Sequence, residues 1–242
     1  MSVPRTDAKM DVRGTSEIRR NAAREASEAG LSKTKHDFAS RGFTLIELLV
    51  VITVIAILMG LLFPAFKGVQ DQAKRTQAKS DVTQIVTAVN AFYTEYGTYP
   101  IDISAHGNND TLFGDPGGSF DNKDVIDTLR ALNDVLNPKK ISFLQINNVK
   151  DDNSPRGGIA TKDVSQNGWS IKAGSVVDPW GGEYLISIDG SYDNNTLLYV
   201  TYSDLPNSAN TGSIAWSFGK DGKKGTNDDG KYKNSDDVIS WK

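Results

Sequence analysis

Cysteine is absent from all 242 residues, so no disulfide closes a loop and no thiolate serves as nucleophile or metal ligand. Histidine is nearly absent: His36 and His106 leave nothing for a His-based triad or a His-rich metal site. No basic stretch interleaved with aromatics occurs, and the net charge is −3, which argues against nucleic acid as a partner. The charge is unevenly spread. Residues 1–42 hold nine Lys/Arg and six Asp/Glu, a net of +3, so the remainder carries 18 positive and 24 negative residues, a net of −6.

What the chain does have is one long apolar run. From Leu48 to Phe63 no residue is charged, and only Thr53 and Gly60 interrupt the hydrocarbon. Counted from Phe43, the run is long enough to cross a ~30 Å hydrocarbon layer as a helix. The basic excess before it predicts that the preceding segment stays in the cytoplasm. Glu47 lies inside the run. An ionised carboxylate is costly in lipid, so it predicts a partner and a function.

Gly42-Phe43-Thr44-Leu45-Ile46-Glu47 resembles the processing site of type IV prepilins and of type II secretion pseudopilins. The resemblance implies that a prepilin peptidase in the membrane cuts after Gly42 and that the new amino-terminal Phe43 is N-methylated. Glu47 becomes the fifth mature residue. Pro64 becomes mature residue 22, where the family commonly has a helix-bending proline. When subunits stack with an axial offset, Glu47 of one can approach the α-amino group of Phe43 of another, pairing two charges in an apolar bundle. Glu47 is thus expected to set filament register.

Residues 1–42 lack an apolar stripe and read as a removable cytoplasmic leader, with Met1 and Met10 both open as starts. Residues 43–66 read as a transmembrane and filament-core helix, and 67–242 as a periplasmic head that includes the amphipathic half of that helix. Val69, Ala73, Thr76, Val82, Ile85, Val86, Val89, Phe92 and Tyr96 recur mostly at helical spacing, predicting one apolar stripe turned towards the head. Pro64 should bend the helix rather than stop it. From Phe43 to Tyr96 the helix would be roughly 80 Å long, and Gly97 ends it.

Ile101 to Gly118 reads as loop. A short helix follows, capped by Asp121 or Asn122, with Val125, Ile126, Leu129, Leu132, Val135 and Leu136 on its apolar side. Ile141 to Ile146 is either strand or loop, and Lys150 to Asn167 reads as a surface excursion. Asp178-Pro179-Trp180-Gly181-Gly182 marks a turn. Tyr184–Ile188, Thr196–Tyr202 and Ser213–Phe218 read as strands around a polar loop at 189–195. Helix, Tyr96-Gly97-Thr98-Tyr99-Pro100 and the Asp-Pro-Trp-Gly-x-x-Tyr turn, in this order, resemble the major pseudopilin. The expected fold is therefore α+β: a long amino-terminal helix, transmembrane then amphipathic, packed on a small antiparallel sheet.

The last segment, Ser217 to Trp241, is rich in Asp, Asn and Gly. Such a loop supplies the six to eight oxygens that Ca²⁺ takes, although its spacing is not that of an EF-hand. It resembles the calcium loop of major pseudopilins, which implies Asp221 and Asp228 as side-chain ligands and Phe218 and Thr226 as carbonyl ligands. An insertion near Lys231 to Asn234 leaves open whether Asp229, Asp236 or Asp237 completes the shell. The four lysines between Asp221 and Asp237 reduce the local charge to −1, which disfavours a cation.

The function implied by the resemblance is a pseudopilin. It would be self-assembling, processed by the prepilin peptidase, stored in the inner membrane lipid, and extracted by the secretion ATPase and its assembly platform together with minor pseudopilins. A type IV pilin for adhesion, motility or DNA uptake is the alternative. A membrane-anchored periplasmic enzyme is a third, for which no nucleophile–base pair is present.

Overall fold

The computed structural model describes residues 42–107, 109–199, 202–225 and 230–242. The chain divides into two compact units at Ala56/Ile57. Helix α1 (Leu45–Tyr96) is continuous through position 64. In the first unit its residues are exposed side chains of Leu, Ile and Val, and Thr53, polar among them, donates its hydroxyl to the Leu49 carbonyl at 2.7 Å. Thr76, Thr83, Thr87 and Thr94 repeat that i−4 bond further on. Each of these hydroxyls is satisfied within the helix itself. Gly97, at φ +71°, takes the left-handed cap position and donates to the Tyr93 carbonyl, ending the helix.

In the second unit, α1 buries Ala78, Val82, Ile85, Ala88, Val89 and Phe92 against the head. Burial starts at Ala78. Val69, Ala73 and Thr76, expected to face the head, are exposed instead. The stripe is continuous in sequence, but the head meets its first two turns on another face, through Asp71 and Arg75, and leaves these side chains uncovered.

Helix α2 (Ile103–His106) and strand β1 (Thr111–Phe113) occupy what the sequence suggested was loop. Helix α3 (Lys123–Leu129) follows, then short strands β2 (Gly158–Ile159), β3 (Val164–Gln166), β4 (Trp169–Ile171) and β5 (Val176–Val177). After them come β6 (Leu185–Ile188), β7 (Thr196–Leu197), β8 (Ser208–Ala209), β9 (Ser213–Ser217) and β10 (Val238–Ile239). The main sheet is antiparallel in the order β1-β6-β9-β10, and the α+β class expected from the sequence holds.

Side chains alternate across this sheet, as a pleat requires. Ile186, Ile188, Ala215 and Val238 join the core shared with α1 and α3. Leu185, Ile214, Trp216 and Ile239 enter a second core with Trp169, Ile171 and Tyr202. Both faces are covered, which explains why β6 and β9 are buried along their whole length.

Several expectations shift. Helix α3 stops at Leu129 because Ala131 adopts φ +62°, so Leu132 and Val135 are exposed rather than on its apolar side. Among the described residues of Thr196–Tyr202 only Thr196–Leu197 is strand, and Ile141–Ile146 is irregular. The stretch 150–167 is not all surface: Ile159 and Ala160 are buried, and β3 pairs with β4. Asn122 does not cap α3 with its side chain. It is fully buried, donating to the Val176 and Tyr184 carbonyls at 2.8 Å and accepting from Val176 N–H at 2.9 Å, so it braces α3 against β5 and the start of β6.

Glu183 is buried beside it and accepts the Asn122 backbone N–H at 3.3 Å. Burial pushes this carboxyl up to about 7, and the Asp121 charge adds to the shift. A carboxyl raised in the fold stabilises fully below its unfolded value and loses that contribution as pH rises through the folded value. The head should therefore melt several degrees lower at pH 8 than at pH 5.5, and Glu183→Gln should flatten that dependence. A thermal melt series across this range measures it; an unchanged slope in the variant would assign the effect elsewhere.

Candidate functional site

Two places carry chemistry. At the first, Thr44 and Glu47 form a reciprocal helix cap. Glu47 Oε2 accepts both the Thr44 backbone N–H and its hydroxyl at 2.8 Å, and Thr44 Oγ1 accepts the Glu47 N–H at 3.2 Å. This is a capping box, with Thr44 at the cap and Glu47 at the third helical position. The Thr-x-x-Glu spacing that signals it stands in the sequence at the head of the apolar run. Within one subunit, then, Glu47 already has hydrogen-bond partners.

Phe43 is 81% exposed, and a Cβ on Gly42 would meet nothing within 4 Å. Nothing among the described residues demands glycine at position 42. Leu45, Ile46 and the apolar residues after them are likewise exposed, and α1 is the one described helix long and apolar enough to cross a membrane.

The model of the prokaryotic N-terminal methylation motif matches residues 38–63, which span this cap and the apolar run. The amino terminus is similar to those of type IV pilins and type II secretion core proteins. It is 38% identical over 60 residues to the type IV major pilin protein PilA of Myxococcus xanthus, covering 25% of this chain and 27% of that one. It is 41% identical over 59 residues to type II secretion system core protein G of Pseudomonas aeruginosa, covering 24% and 42%. The same core protein of Pectobacterium carotovorum is 33% identical over 63 residues, covering 26% and 40%. The chain thus spans less than half the length of these relatives, all of it near the amino terminus. No solved structure matches. Pilin-like chains are structural subunits rather than enzymes.

The second place is the terminal loop after β9. Its two limbs are drawn together by carboxylates that collect backbone N–H groups. Asp236 Oδ2 accepts from Lys220 at 2.5 Å and Asp221 at 3.0 Å. Gly219, at φ +69°, lies so close that a Cβ would sit 2.3 Å from the Asp236 carbonyl oxygen, so only glycine fits. The inserted stretch forms a 3₁₀ turn, Tyr232–Asn234, whose first two N–H groups are taken by the Asp204 carboxylate at 2.7 and 3.2 Å. Helix α1 holds the loop from the side: Arg75 donates to the Ser235 carbonyl at 3.1 Å, Lys79 to that of Ile239 at 2.7 Å, and Lys220 pairs with Asp71 at 2.7 Å.

The same device recurs elsewhere in the head. Asp178 Oδ1 accepts from Trp180, Gly181 and Gly182 at 2.7–3.0 Å, closing the predicted turn, while its Oδ2 takes the Ser217 hydroxyl of β9 at 2.5 Å. Asp189 closes the 189–195 loop through Asp193 and Asn194. Asp178, Asp189, Asp204 and Asp236 are the loop closures of a head without disulfides.

Asp237 differs from these. It is 1% exposed; its Oδ2 accepts the Tyr202 hydroxyl and the Gly225 N–H, whereas Oδ1 is buried with no hydrogen-bond partner among the described residues. Burial pushes its carboxyl up to about 6, with Asp236 and Asp221 contributing. An orphaned carboxylate oxygen beside two further carboxylates is donor chemistry suited to a hard cation. Against this, no group of three or more His, Cys, Asp or Glu among the described residues is arranged to hold a metal. Asp228 and Thr226, two of the residues implied as ligands, lie outside the described residues, as does Asp229; Phe218 and Asp221 lie within them on the first limb of the loop.

Proposed function

We propose that the chain is a pseudopilin of a type II secretion system. Its apolar helix is stored in the inner membrane with the head in the periplasm. Prepilin peptidase cuts it after Gly42, and Phe43 is methylated. The mature subunits then pack with their helices inward in a short filament that pushes exported proteins outward, built by the assembly platform and ATPase with minor pseudopilins. The observation that carries this reading is the Gly42–Glu47 motif opening an apolar helix whose side chains find no cover among the described residues. A helix exposed on every side needs lipid or other helices around it.

A type IV pilin is the second reading, supported by the similarity to the Myxococcus xanthus pilin. Loss of protein secretion in a deletion strain favours the first, and loss of surface pili the second. The proposal extends to Ca²⁺ in the terminal loop, where Asp221, Asp237 and the residues around Asp228 would hold it and the ion would neutralise their mutual repulsion.

Intact-mass measurement of the membrane form tests the processing step. Loss of residues 1–42 and the gain of one methyl group are expected, and Gly42→Ala should leave the full-length chain. Because that methyl would touch nothing among the described residues, a block is expected to belong to the peptidase rather than to folding. A mature chain that begins elsewhere refutes the proposal.

A further inference from the structure

Two uncovered apolar patches lie on the head unit, near opposite ends of the part of α1 it contains. The first is the start of the unfulfilled stripe: Phe66 and Val69 are 63% and 66% exposed, and Ala73 is exposed one turn later. The second is the loop after α3. There Leu132 is 61% and Val135 87% exposed. That loop is held firmly: Asn133 Oδ1 accepts from Val135 and Leu136 N–H. Asn137, fully buried, donates to the Thr128 and Ile141 carbonyls and accepts the Tyr96 hydroxyl at 2.5 Å. Ala131 and Lys140 bracket it in left-handed backbone conformations that non-glycine residues seldom adopt. A rigid loop that displays two branched aliphatic side chains to solvent is suited to contact something.

The charges around the two patches are opposite. Beside Leu132 opens a cleft of about 570 Å³ with Ile101, Phe113 and Phe120 in its walls. Its lining includes Asp102, Asp124, Asp127 and Asp134; Lys123 pairs with Asp127 and Lys140 with Asp134, so two negative charges remain in excess. The Phe66–Ala73 patch is flanked by Lys67, Lys74 and Arg75, and its one acid, Asp71, is neutralised by Lys220. The acid-lined patch is joined to the end of α1 through Tyr96, 27 residues beyond Val69, which is about 40 Å of helix.

We propose that these patches meet between copies of the chain: the Leu132/Val135 loop and acidic cleft of one head seat on the Phe66–Ala73 segment of the next. The contact rests on the filament assembly proposed above and names its outer interface. Two different patches at opposite ends form a heterologous contact, the kind that generates an open filament when its rotation does not close a ring. Lipid fits this pairing less well, because the acidic cleft would repel anionic headgroups and the helix patch carries charges on every turn.

The absence of native cysteine makes the test clean. Full-length Val69→Cys and Val135→Cys chains, both substitutions at exposed positions, are co-expressed in cells that assemble the protein, and sheared filaments are treated with a short bis-maleimide. A chain carrying both cysteines should give a ladder of oligomers, the mixed single variants a dimer, and each single variant alone neither. Filaments that form normally but give no ladder overturn this interface and leave the assembly reading standing. A dimer from Val135→Cys alone indicates a symmetric contact and also overturns it. If no filament forms even with the unaltered chain, the assembly reading fails first and the interface with it.

Discussion

Glu47→Leu is expected to insert, to be cleaved and to fold its head, and yet to leave almost no filament. The cap that Glu47 makes with Thr44 contributes about 0.5–2 kcal/mol to the first helical turn, far from the buried face that begins at Ala78. Removing the carboxylate eases membrane insertion by about 3 kcal/mol at most. Neither change touches the head. After the proposed cleavage, however, Phe43 would carry a free ammonium group. In a bundle of apolar helices, removing its counter-charge costs about 3–5 kcal/mol for each subunit added, on the order of a hundred- to several-thousandfold in the assembly equilibrium. Thr44→Ala separates the two roles, since it breaks the cap and keeps the charge. If capping alone mattered, Thr44→Ala and Glu47→Leu would be equally defective; if the charge sets register, Thr44→Ala filaments persist. Sheared-filament yield measures both. Filaments as abundant with Leu at position 47 as in the unaltered chain would end the register proposal.

The second large effect is expected from calcium. Full-length protein in detergent should melt at a higher temperature with millimolar Ca²⁺ than with EGTA. For an ion bound only by the folded state at a hundred times its Kd, the gain is about 2.7 kcal/mol. Mg²⁺ should substitute poorly, since it demands stricter octahedral geometry. Asp221→Ala and Asp228→Ala should each abolish the difference. Asp193→Ala, in the separate loop closed by Asp189, should leave it intact. The Asp237 oxygen without a partner motivates the experiment from the structure, and the Gly-rich acidic spacing motivates it from the sequence. Coincident melting curves would mean that the carboxylate and helix contacts alone hold the loop.

How much was legible beforehand depended on whether the signal was local. The run from Leu48 to Phe63, the Gly97 stop and the strands at 185–188 and 213–217 are all set by neighbouring residues, and they appear where periodicity puts them. The end of α3 was misplaced because Leu132, Val135 and Leu136 keep helical spacing. The left-handed Ala131 that breaks the helix carries no sequence mark. Strand β1 was missed since its three residues sit among breakers and owe their conformation to pairing with Ile186–Ile188, some seventy residues later. The β3–β4 hairpin was overlooked although Asn167-Gly168, both at positive φ, is a recognised turn pair. At the candidate site, Gly42, Phe43 and Glu47 could be named from the sequence. The bracing role of Asn122 and the loop-closing roles of Asp204 and Asp236 could not, because each depends on which backbone amides the fold brings near a carboxylate.

Those carboxylate closures bear on how the head responds to mechanical load. A covalent bridge either holds or is chemically broken. A loop closed by two or three amide hydrogens on one aspartate opens for about 1.5–3 kcal/mol per bond to the charged group, and it can re-form without an oxidant or an isomerase. Pulled along its length, a fibre of such heads could yield at Asp178, Asp189, Asp204 and Asp236 first, dissipating work in the loops while the sheet and the long helix stay intact. When the pull ends, every aspartate would still be attached to the chain beside the amides it had released.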